Sequence, residues 1–163
     1  MSFDIDKLKR LKAAKDKIKE EKADTDAQKF ANYLIDIFEQ TIDSIESEVF
    51  QSVKSSINDD INEAKFSYVL SAEQSKEEKN KSYITFRFAD DRNVSSIISH
   101  VTYADKYTFE DVQKILDIVT EHITNFFINL QLPPPKVITE DLNMVSYYLY
   151  AYKVSFIINI DKL

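Results

Sequence analysis

Residues 147–160 read YYLYAYKVSFIINI. Tyr148, Tyr150, Tyr152, Val154, Phe156, Ile158 and Ile160 take every second place. Tyr147, Leu149, Ala151, Lys153, Ser155, Ile157 and Asn159 fall between them. A repeat of two is the signature of a β-strand, because successive side chains leave opposite faces of the sheet. One face is wholly apolar or aromatic and the other is mixed. A strand this apolar is an aggregation hazard along a free edge, so it belongs inside a sheet or against a second chain.

Its pairing partners lie upstream. Phe66, Tyr68 and Leu70 alternate with smaller residues, and Ile84, Phe86 and Phe88 alternate with Tyr83, Thr85 and Arg87. These predict strands over 66–71 and 83–89, joined as a hairpin. The segment between them, Glu73 to Lys81, is highly charged and predicts an exposed, mobile loop. Asp90-Asp91-Arg92-Asn93 reads as a turn, with Asn93 the best substitute for glycine at positive φ. Residues 94–103 fit a helix face through Val94, Ile97, Ile98 and Val101. Their β-branched content tips the reading to a third strand.

The helices are as legible. Thr25 and Gln28 fit a capping box, followed by Phe30, Leu34, Phe38, Ile42, Ile45, Val49, Val53, Ile57 and Ile61. Steps of almost always four residues exceed the helical repeat of about 3.6. The stripe therefore drifts, which predicts either one long wrapping helix or two helices parted near Asp43-Ser44. Thr108 and Asp111 open a second helix whose apolar face runs from Phe109 to Leu130. Pro133-Pro134-Pro135 ends it in a stiff extended link, and a short helical turn is expected over Thr139–Val145.

Residues 4–22 predict a thin amphipathic helix capped by Asp4. Its apolar face is Ile5, Leu8, Leu11 and Ile18, and its remaining surface is basic. So few large apolar residues do not stabilise a lone helix, so it must dock on something. The expected fold is α+β. Three or four mostly antiparallel strands pack on long amphipathic helices, with an N-terminal helical arm (1–22) and a single α+β domain (23–163).

Composition narrows the chemistry. The 163 residues include no glycine, no cysteine and no tryptophan. Phosphate loops, dinucleotide turns and nucleophile elbows all use glycine where backbone approaches a ligand or takes positive φ, so none is present in its usual form. Thiolate metal sites are excluded outright. The paired carboxylates at 59–60, 90–91, 110–111 and 140–141 are sequence neighbours that point in different directions, which makes poor catalytic dyads. His100 and His122 lack metal-ligand spacing and read as boundary residues bonded to neighbours. No cofactor and no metal are expected.

The net charge is −7, which disfavours nucleic acid as a partner. Residues 1–22 nevertheless carry eight basic and five acidic side chains, leaving the remainder strongly acidic. A basic arm on an acidic body suits protein partners or self-association. No apolar run reaches the roughly 18–20 residues of a membrane span, and the N-terminus lacks the apolar core of a secretory signal. These features lead to an expected cytoplasmic or virion-associated location.

The function expected from these features is non-enzymatic: a subunit of a multiprotein assembly. A phage or virion component is suggested by size and by the Ile-, Lys-, Asn- and Ser-rich coding bias. The partner-binding residues expected are Ile5, Leu8, Leu11 and Ile18 on the arm, and Tyr147, Tyr148, Tyr150 and Tyr152 in the final strand. The alternatives are a small acidic inhibitor or adaptor that weakly imitates nucleic-acid charge, and an enzyme built from scattered polar residues.

Overall fold

A computed structural model describes residues 4–92, 96–142 and 148–163, with side chains placed for all of these except 19–24. The fold is α+β. The elements are α1 (Ile5–Gln40), α2 (Ile42–Asn58), β1 (Glu63–Gln74), β2 (Lys81–Asp90), β3 (Ser96–Asp105), α3 (Phe109–Asn129), β4 (Lys136–Asp141) and β5 (Tyr148–Asn159), closed by a short 3₁₀ turn at Ile160–Lys162. The strands form one sheet in the order β3-β2-β1-β5-β4, and every pair is antiparallel.

The alternation read from the sequence sets the faces. Tyr68 and Leu70 pair with Phe88 and Phe86 on one side, Ile84 follows on the same strand, and Phe66, Tyr68 and Leu70 pair with Phe156, Val154 and Tyr152 on the other. All nine are buried, on the face covered by the helices. α3 contributes Ile115, Val119, Ile123 and Phe127 to that layer, and α1 contributes Phe30, Leu34 and Phe38. The rings touch in series. Phe38 meets Phe88 and Phe126 edge-on at 5.4 and 5.2 Å between centroids, and Phe127 lies 5.5 Å from Phe66 and 5.6 Å from Phe156.

Tyr68 adds a polar rivet. Its hydroxyl donates to the Leu116 carbonyl at 3.2 Å and lies 2.7 Å from Thr120 Oγ1. Burial pushes its pKa well above the usual phenol range, so it stays protonated and able to donate.

Three expectations need correction: the helical turn after the prolines, the number of strands and the helix start at Thr25. The short helical turn expected over Thr139–Val145 does not begin at Thr139: residues 136–141 form the edge strand β4, and 143–147 lie outside the described residues. After the three prolines Val137, Ile138 and Thr139 supply β-branched side chains, and β5 offers an open ladder that outweighs the weak helix-start signal of Glu140 and Asp141. The sheet thus has five strands rather than three or four, and β5 is covered on both edges.

The helix break falls at Thr41, two residues before Asp43-Ser44. There the Thr41 hydroxyl bonds back to the Ile37 carbonyl at 3.1 Å, a contact that competes with the helical ladder.

The capping signal at Thr25 and Gln28 does not start a helix. α1 runs unbroken for 36 residues through that point. Residues 5–24 are dominated by Lys, Ala, Leu, Glu and Asp without glycine or proline, so nothing stops the helix arriving from the arm. Gln28 bonds Asn32 instead.

The loop between β1 and β2 is exposed, as its charge implies, but it is tied from within. The Gln74 side-chain amide reaches the carbonyls of Glu78, Lys79 and Lys81 at 3.0–3.1 Å, and the buried Ser75 hydroxyl accepts from the amides of Glu77 and Glu78.

Without glycine, two helix ends use other residues in the left-handed region. Asp60 (φ 54°) follows α2, and Gln131 (φ 65°) follows α3. At α2 the amide of Ile61 bonds the Ser56 carbonyl at 2.9 Å and that of Asp60 bonds Ile57 at 3.3 Å, the Schellman pattern in which glycine is favoured. The left-handed conformation costs a Cβ-bearing residue roughly 1–2 kcal/mol. Asn93, expected to take this role, lies outside the described residues.

Asp60→Gly and Gln131→Gly should each stabilise the protein by about 0.5–1 kcal/mol, read as a raised urea midpoint with an unchanged slope. Phe127→Ala should cost about 3–5 kcal/mol, and Tyr68→Phe about 1 kcal/mol, in the same assay.

Candidate interaction surface

α1 divides into two parts. Its core-facing side chains are Ala27, Phe30, Ala31, Leu34 and Phe38, all buried, and this part packs on α3. Residues 4–18 are exposed without exception. Asp4 caps the start, accepting from the Lys7 amide at 3.1 Å. The first part of α1 thus overhangs the body as a solvated rod. Ile5, Leu8, Leu11 and Ile18 are 50%, 47%, 58% and 64% exposed, so the apolar face read from the sequence lies open.

The direction of that face is informative. At about 100° per residue, the mean direction of the four arm residues lies roughly a third of a turn from the mean direction of the core stripe. The arm does not simply prolong the surface that α1 lays on its own body.

The tyrosines behave differently. Tyr150 and Tyr152 turn into the core at 7% and 5% exposure, with ring centroids 6.3 Å apart, so they present almost no surface. They share the covered face with Val154 and Phe156 because they share their parity. Burial raises the Tyr150 pKa, and its hydroxyl has no hydrogen-bond partner among the described residues. Tyr148 is half-buried at the start of β5, and Tyr147 lies outside the described residues.

Other apolar side chains reach solvent where the sequence was silent or pointed inward. On α2, Phe50 is 64% exposed and Ile57 is 51% exposed. Ile45, Val49 and Val53 bury the inner side of that helix, while Phe50 and Ile57, seven residues apart, share the outer one. Around them the helix surface is acidic: residues 42–60 hold five carboxylates and one lysine. On the sheet face away from the helices, Tyr83 and Tyr103 pair at 5.1 Å beside the exposed Val101.

Both histidines are engaged. His100 Nε2 lies 2.7 Å from the Tyr33 hydroxyl. His122 Nε2 lies 2.6 Å from Glu39 Oε1, at the side of an open cleft of about 370 Å³ lined also by Ile42, Glu46, Asn125 and Asn129. Among the described residues the lining supplies no hydroxyl to be activated and no lysine or arginine to hold a developing negative charge. Among the described residues no three or more His, Asp or Glu side chains are grouped to hold a metal ion, and no helix is long and apolar enough to cross a membrane.

No protein-family model matches the chain, and no curated protein matches its sequence.

The overhang predicts an uneven hydrogen-exchange profile. In dilute protein, amides of residues 5–18 should exchange at least a hundredfold faster than those of residues 30–38, as read by mass spectrometry, because only the latter are clamped by tertiary contacts.

Proposed function

We propose that this chain is a non-enzymatic subunit of a protein assembly and that the helical arm is its means of attachment. The observation that carries this reading is the arm itself. Four large apolar side chains stand on an exposed helix, and their mean direction lies about a third of a turn from the one in which α1 meets its own core. Leaving them in water forgoes about 1.5–3 kcal/mol for each that a partner could bury fully. An assembly of repeated copies, such as a phage or virion particle, is the setting this shape suits.

The acidic adaptor that imitates nucleic acid is the second reading, favoured by the carboxylates of α2. Against it, Lys54 is exposed among those carboxylates, and the phosphate pattern to be copied has no positive member.

The test is light scattering coupled to size exclusion over a range of protein concentrations. The intact chain should exceed its monomer mass of 19.0 kDa as concentration rises, and Leu8→Asp with Leu11→Asp should return it to the monomer. An intact chain that stays monomeric throughout, indifferent to those substitutions, overturns the reading.

A further inference from the structure

The arm and the outer side of α2 are complementary in two respects. The arm is basic with exposed leucine and isoleucine, and α2 is acidic with exposed Phe50 and Ile57. Both stripes follow helical spacing. Leu8, Leu11 and Ile18 step by three and seven residues; Glu46, Phe50 and Ile57 step by four and seven. These are the steps that seat side chains between two packed helices.

They cannot meet within one chain. α1 is a continuous helix to Gln40. Leu11 therefore lies roughly 45 Å along the axis from Thr41, whereas α2 is only about 25 Å long. Folded straight back, its far end still falls some 20 Å short of Leu11 at 1.5 Å per residue. α2 in fact packs on β1 and β2.

Pairing of two arms is opposed by like charge, since each carries eight basic against five acidic side chains within residues 1–22. We propose that the arm of one chain docks antiparallel on the outer side of α2 in a second copy. With Leu11 opposite Phe50, the helical rise sets Leu8 between Phe50 and Ile57 and Lys15 opposite Glu46. It rests on the reading of the arm as an attachment device and adds its occupant.

Because donor and acceptor surfaces differ, the contact is head to tail. Two chains exchange arms reciprocally, or the contact repeats into a ring or filament.

Two variants test this together. Leu8→Asp with Leu11→Asp disables the arm, and Phe50→Asp with Ile57→Asp disables the acceptor. All four positions are exposed, and circular dichroism with thermal unfolding checks that each variant stays folded. Each variant alone should be monomeric by light scattering. An equal mixture should form pairs of chains and nothing larger, since it holds one working arm and one working acceptor per pair.

A charge pair gives an independent reading. Lys15→Glu or Glu46→Lys alone should weaken association at least threefold, and the two together in one chain should restore it. Wild-type association lost with the arm variant but kept with the Phe50 and Ile57 variant would overturn this proposal and leave the assembly reading standing. A mixture that stays monomeric while the wild type associates would do the same. A wild type that is monomeric at every concentration removes both.

Discussion

The structure depends on one aromatic layer. Phe66, Phe88 and Phe156 from the sheet, Phe127 from α3 and Phe38 from α1 form a run of ring contacts that no single element contains. Each ring supplies large apolar area, and its edge-to-face or tilted contacts fix the relative angle of the elements that carry it. Tyr68 then fixes α3 along the sheet through the Leu116 carbonyl and Thr120. Without this layer α2, β4 and the overhang would have nothing ordered to attach to.

Much of that layer is legible from parity alone. The even-numbered places from Phe66 to Leu70, from Ile84 to Phe88 and from Tyr150 to Ile158 hold the large buried side chains, because a strand cannot change faces without a slip or a bulge. Thr108 and Asp111 were equally readable, since a capping box is a local bonding pattern that needs no tertiary help. β4 was not readable. Its six residues are all exposed and have no burial pattern of their own, and they become a strand only because β5 is already in place. The unbroken α1 was hidden for the converse reason. Thr25 and Gln28 spell a start, but a helix already propagating does not need one.

The exposed apolar residues divide along the same line. The open apolar face of the arm was legible because an amphipathic stripe on a highly charged helix has too little to bury against itself. Tyr150 and Tyr152 were drawn toward the surface by residue type, although their parity with Val154 and Phe156 already placed them inside. Phe50 went unnoticed because it stands between Val49 and Val53, which carry the inner stripe. The step of four that seemed to prolong that stripe to Ile57 had by then rotated it toward solvent, and Ile61 lies past the end of α2.

One mechanical consequence follows from the continuity of α1. A rod of 36 residues has no glycine or proline at which to flex, and only its second part is bolted down. It works as a lever whose fulcrum is the packing of Phe30, Leu34 and Phe38. A sideways load near Leu8 becomes a torque on the seam with α3, magnified by the length of the overhang. The stiffness that holds the tip at a defined angle also makes that seam the place where such a load is concentrated.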